Sequence, residues 1–159
     1  MKTRLLALTA LAALVTSGCG HKDTSTTAAA APGPREIDIT AGDTMKYDVT
    51  QIDAKPGEDL KVVLTNNGTQ PLLVMGHNWV LLKAGSDVAA FDAAALTSKD
   101  TNYIPAALAD EMIAHIDLLG PRKSGDADFK APTTPGDYPF LCTFPAHYQT
   151  GMKGVLTVK

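Results

Sequence analysis

Hydrophobic and polar residues alternate with a period of two along most of the chain, the pattern of half-buried β-strands. Ile37 and Ile39 alternate with acidic and polar neighbours, and Met45, Tyr47 and Val49 share a face opposite Lys46, Asp48 and Thr50. Beyond the turn signal Lys55-Pro56-Gly57 come Leu60, Val62 and Leu64, then Val80 with Leu82, then Ala114, Ile116 and Leu118. Tyr138, Phe140 and Cys142 point one way on a penultimate strand, and Leu156 and Val158 lie on the last. Short strands separated by Gly, Pro and Asn turns predict an all-β, antiparallel sandwich with one core over residues 36–159.

Two stretches depart from the alternation. Between Ser86 and Asp110, Val88, Phe91 and Ala95 have helical spacing behind a Ser86 cap, and Pro105 is placed to open a second short helix. This predicts a helical insertion packed on the side of the sandwich, shielding an edge. At the N-terminus, Lys2 and Arg4 precede an apolar run from Leu5 to Val15. That run is too short to span a bilayer and reads as a secretory signal peptide over residues 1–18. Thr16-Ser17-Gly18 before Cys19 resembles the lipobox of bacterial lipoproteins, which would make Cys19 an acylated N-terminus. Residues 20–35 are small, polar and proline-containing, as in a disordered tether spanning about 50 Å extended or roughly 20–25 Å as a coil. The expectation is an exported domain, lipid-anchored to a bacterial membrane and facing the periplasm or the cell exterior.

Without the signal, twelve Lys and Arg stand against seventeen Asp and Glu, since Lys2 and Arg4 leave the fourteen basic residues of the full chain. A balance near −5 gives no footprint for nucleic acid or a polybasic membrane patch. Cysteine content is more telling. The chain has two cysteines, and with one at the processing site Cys142 has no disulfide partner.

Cys142, His147 and Met152 follow one another at five-residue intervals in Cys-Thr-Phe-Pro-Ala-His-Tyr-Gln-Thr-Gly-Met. Thiolate, imidazole and thioether on one loop form a soft-metal donor set, and one remote histidine would complete the His₂Cys plane with weak axial Met that holds copper. His77, in Met-Gly-His-Asn-Trp-Val, supplies it. Pro145 turns the chain so that His147 reaches back, and Gly151 gives backbone freedom before Met152. The Gly76 carbonyl is a candidate weak axial contact. Asn78 and Phe144 are expected beside the ligands, with Asn78 tying the His77 segment to the Cys142 loop. Trp79 is expected in the core. His115, alternating with Ile113 and Asp117, is expected to be exposed and non-ligating.

Met-Gly-His-Asn-Trp-Val and Cys-Thr-Phe-Pro-Ala-His, with Ile-Ala-His before the ligand loop, resemble the azurins. The longer spacing from His147 to Met152, with Tyr148 and Gly151, is similar to the azurin-like auracyanins. The resemblance covers residues 36–159. It implies a cupredoxin fold, a Greek-key sandwich of about eight strands, with one type 1 copper ion held by His77, Cys142, His147 and Met152. Ala146 departs from the family's usual glycine, and the azurin disulfide cannot form.

The function expected is a one-electron shuttle with no substrate turnover of its own. Redox partners would dock transiently on an apolar surface around an exposed edge of His147, framed by Pro145, Ala146, Met75 and Leu73. Copper storage or delivery through the same ligands is the alternative.

Overall fold

The computed structural model describes residues 33–159. The expected signal peptide, the attachment residue Cys19 and the tether up to residue 32 lie outside the described residues. In chain order the strands are β1 (Arg35–Ala41), β2 (Gln51–Ala54), β3 (Asp59–Asn66), β4 (His77–Leu82), β5 (Met112–Leu119), β6 (Lys123–Lys130), β7 (Gly136–Leu141) and β8 (Lys153–Val158). A short helix α1 (Leu72–Met75) precedes β4, and α2 (Val88–Leu96) follows it. One sheet has the order β1-β3-β6 and the other β2-β8-β7-β4-β5. No helix among the described residues is long and apolar enough to cross a membrane.

The alternating positions build the core as expected. Ile39, Leu60, Val62 and Leu64 from the first sheet cluster with Trp79, Leu81, Phe140 and Leu156 from the second. Trp79 is fully buried, with its ring 5.6 Å from that of Phe140 and 5.9 Å from that of Phe129. Burying aromatic rings of this size is a large part of what the sandwich gains on folding.

The sandwich is mixed rather than antiparallel, because β1 runs parallel to β3 and β2 parallel to β8. After Ala41 the chain leaves one sheet and crosses to the far edge of the other, so each of its first two strands pairs with a strand remote in sequence. Consequently the strand expected over residues 45–49 does not form. Met45 adopts φ 55°, in the left-handed region, and its N–H closes a turn on the Gly42 carbonyl at 3.0 Å. Tyr47 makes only an isolated bridge to Ala41. The alternation survives as burial: Tyr47 enters the core while Lys46 and Asp48 stay exposed.

Arg35, assigned to the tether by sequence, is the first residue of β1. Its guanidinium donates to the Glu58 carboxylate and to the Asp53 carbonyl, each at 2.7 Å. β2 and β6 carried no clear sequence signal. In β6 the inward positions are Gly125, Ala127 and Phe129, which pair with Leu64, Val62 and Leu60.

All six residues of β4 are buried. On one side are Trp79 and Leu81 in the main core. On the other, Val80, Leu82 and Leu141 pack with Phe91 and Ile104 of the insertion. The insertion therefore covers a face of the five-stranded sheet over its inner strands β4 and β7, not an edge. Asp87, rather than Ser86, caps α2 by accepting the Ala90 N–H at 3.0 Å. After Pro105 the chain makes a 3₁₀ segment (Ala106–Glu111).

At Gly154 on β8, an added Cβ would press on the Thr50 carbonyl and the Phe140 ring, the latter's Cε2 only 2.6 Å away. Gly154→Ala is expected to destabilise the fold by about 1–3 kcal/mol through overpacking, read as a lower denaturant midpoint with an unchanged slope.

Candidate metal centre

β4 and β7 are antiparallel neighbours, with Val80 opposite Leu141 and Leu81 opposite Phe140. Continuing that register toward the start of β4 sets Asn78 beside Thr143, so His77 and Cys142 emerge at the same end of the sheet. Two buried hydrogen bonds fix this approach. The Thr143 N–H donates to Asn78 Oδ1 at 2.8 Å, and Asn78 Nδ2 donates to Thr143 Oγ1 at 2.7 Å. The Thr143 hydroxyl then donates to the Tyr103 carbonyl of the insertion at 2.7 Å. Tyr47 completes the frame by donating its hydroxyl to the Asn78 carbonyl.

From Cys142 the chain loops out and returns as β8. The His147 N–H donates to the Phe144 carbonyl at 3.1 Å, and the Met152 N–H to the His147 carbonyl at 2.9 Å. The Cys142 N–H closes the loop on the Met152 carbonyl at 3.1 Å. Ala146 sits at φ 71°, where an L-residue costs about 1–2 kcal/mol. Glycine at this position would avoid that strain. Gly151 sits at φ 97°, so its freedom is used.

The result is a cluster of donors in a dry site. One donor atom each from His77, Cys142 and His147 lies within 4.8 Å of the others, and all three residues are buried. His77 Nδ1 is 3.2 Å from His147 Nδ1, which is 3.4 Å from Cys142 Sγ. Met152 is fully buried in the same cluster as Cys142 and Phe144. The Phe144 ring lies 4.8 Å from the His147 ring and meets Tyr103 edge-on at 5.2 Å, which fixes the imidazole from the side.

Burial sets the protonation states. It pushes the Cys142 thiol up to about 12, against the backbone amides of Asn78 and Phe144, which favour the thiolate. It brings His147 down to about 4, aided by the neighbouring His77. It lowers His77 as well, while the Gly42 carbonyl and the Asp43 carboxylate act in the opposite direction. Near neutral pH the site thus holds two neutral imidazoles and a protonated thiol. Three lone pairs converging with one thiol proton and the imidazole protons to share are poorly satisfied alone, and a soft cation between them would satisfy all three. The residues fit copper.

The structure therefore brings together His77, Cys142 and His147, with Met152 and Phe144 packed beside them and Asn78 bridging the two segments. Gly76 is buried against the Leu72 carbonyl and Leu118, which leave a side chain no room. His115 stays out, exposed, with Nε2 3.7 Å from Asp117. One expectation changes. His147 is 1% exposed, because the loop and the Phe144 ring cover it, so it presents no open ring edge. Two buried polar residues near the site carried no sequence signal. Thr143 is a polar residue lodged next to a ligand-type cysteine, and Asp92 interrupts the apolar face of α2 beside Phe91.

Residues 35–159 match the copper binding proteins of the plastocyanin/azurin family. The chain belongs to that family. As a blue copper protein it takes one copper ion, for which His77, Cys142 and His147 form the candidate site. Auracyanin-B of Chloroflexus aurantiacus is 43% identical over 83 residues, 52% of this chain and 35% of that relative, so the match spans about a third of its length. The crystal structure of dithionite-reduced auracyanin from the photosynthetic bacterium Roseiflexus castenholzii superposes with a TM-score of 0.70 at 38% identity, covering 80% of this chain and 99% of that one. Auracyanin A of Chloroflexus aurantiacus, described as a "blue" copper protein, superposes with a TM-score of 0.70 at 32% identity, over 80% and 100% of the two chains.

Because both imidazoles are already neutral and the thiol is not ionised, Cu(II) uptake at pH 7 is expected to release about one proton per ion, from Cys142. A pH-stat titration of the metal-free protein measures it. Release of no proton, or of two, would contradict these protonation states.

Proposed function

We propose that the protein shuttles single electrons between redox partners outside the cytoplasm and turns over no substrate of its own. The observation that carries this reading is the dry convergence of two neutral imidazoles and a thiol on a fixed frame. Copper held there would supply one-electron exchange between Cu(II) and Cu(I). Nitrogen donors suit the first state, sulfur the second, and a donor set held in place serves both.

In this reading Cys142 would hold copper as a thiolate, with His77 and His147 as its imidazole donors. Met152 would be a weak further donor that tunes potential more than affinity, and the Gly76 carbonyl a weaker contact still. Asn78 and Phe144 orient the donors. A full set of protein donors leaves no open metal position for a substrate, which separates this site from catalytic metal centres.

Partners would dock over the covered ring of His147. Ala146 is exposed there, and α1, two residues before His77, carries Leu72, Leu73 and Val74 at 36%, 75% and 58% exposure. A small apolar surface of this kind suits brief encounters. The leader and Cys19 support export and lipid anchoring of this shuttle to a bacterial membrane. Storage or delivery is the rival role, and the burial of all three donors weighs against rapid copper exchange.

The test is a visible spectrum of the full-length protein titrated with Cu(II), then ascorbate, then oxidant. Expected is an intense blue band saturating at about one copper, bleached and restored reversibly, and absent in Cys142→Ser. A pale, irreversible product, or a band that survives Cys142→Ser, would sink the shuttle reading.

A further inference from the structure

Asp92 is the one acidic side chain among the described residues that the fold buries, at 2% exposure. It lies on α2 next to Phe91, at the edge of the apolar cluster of Val80, Leu82, Ile104 and Leu141. No cation pairs with it. Its Oδ2 accepts a hydrogen bond from Gln149 Nε2, and its Oδ1 has no partner. An acid placed this way is a poor choice for stability. An orphaned buried acceptor carries a desolvation cost that apolar side chains of similar volume would not.

What the arrangement does is local to the copper loop. Gln149 lies between His147 and Met152, in the segment Tyr148–Gly151 that sets the spacing of those two donors. The segment is closed on itself by turn bonds, Thr150 N–H to the Ala146 carbonyl at 3.0 Å and Gly151 N–H to the Tyr148 carbonyl at 2.9 Å. Gln149 and Thr150 are exposed, so what it lacks is a tie to the rest of the fold at Gln149 other than Asp92. On one side, the exposed Lys46 ammonium donates to the Thr150 carbonyl. On the other, Gln149 reaches down to Asp92 and covers it. With Thr143 bound to the Tyr103 carbonyl, the insertion grips the ligand loop at two points.

We propose that Asp92 is a positioning residue for the copper site, a latch that fastens the helical insertion to the ligand loop through its hydrogen bond to Gln149. This inference rests on the copper reading above for its purpose, but not for its test. The acceptor, not the charge, is the working part. Burial raises the Asp92 pKa, and a neutral amide in its place offers Gln149 an oxygen in nearly the same position.

Three variants of the full-length protein decide it. Asp92→Ala removes the latch, Asp92→Asn keeps an acceptor, and Ala93→Gly weakens the same helix at an exposed position without touching Gln149. In the metal-free protein, amide exchange at residues 148–151 is expected to rise about tenfold or more in Asp92→Ala. It should stay within about twofold of wild type in Asp92→Asn and Ala93→Gly. In the copper-loaded protein, loss of copper to a chelator should follow the same order while the blue band persists. Wild-type exchange in Asp92→Ala would overturn the latch. So would Asp92→Asn or Ala93→Gly loosening the loop as much as Asp92→Ala does. If the wild type forms no blue band, the copper reading fails, and metal-free exchange still decides the latch.

Discussion

The pair of hydrogen bonds between Asn78 and Thr143 is the constraint on which the rest of the site depends. β4 and β7 could pair along their length and still splay apart where their ends leave the sheet. The reciprocal amide bonds prevent this, and they do so inside the protein, where an unmade bond is most costly. His77 and Cys142 are the residues immediately beside that clasp, so their separation is set by backbone geometry rather than by side-chain freedom. Tyr47, from the crossover between sheets, and Tyr103, from the insertion, each bind the clasp from outside. Both segments that looked peripheral to the sandwich therefore converge on the same two residues.

Burial then decides the chemistry. A thiol held near 12 and an imidazole near 4 describe a site that resists charge in the absence of metal. The same burial excludes water and rival ligands once a cation has arrived. The fold accepts local costs to reach this state: a left-handed alanine at 146 and an acid without a cation at 92. Such costs are sustained where surrounding structure over-determines the conformation. Here the loop is pinned at Cys142 and Met152, and by the insertion at Thr143 and Gln149.

Much of this was legible in the sequence, and what was not has physical reasons. Strands with a strong inward face, such as Leu60-Val62-Leu64 and Tyr138-Phe140-Cys142, announced themselves. The order Cys142, His147, Met152 announced the site, and Asn78 followed from the need for a tie between its two segments. β6 stayed hidden because its inward residues, Gly125 and Ala127, are small where bulky neighbours already fill the core. The segment at Met45–Val49 misled because alternation reports burial, and a loop that drops one tyrosine into the core produces it without a ladder. Thr143 and Asp92 could not be assigned because a polar residue reads as exposed until its partner across the fold is known. The parallel pairing of β1 and β2 likewise depends on which sheet each strand joins, which no local pattern encodes.

The central claim is that the fold assembles the copper donors before copper arrives. Crystal structures of the metal-free and Cu(II)-loaded protein, with the metal located by anomalous scattering, test it most directly. The expected result is copper between His77 Nδ1, His147 Nδ1 and Cys142 Sγ, with those atoms shifted by less than about 0.5 Å between the two states. A ligand loop that refolds on binding, or copper seated away from these three residues, would contradict it.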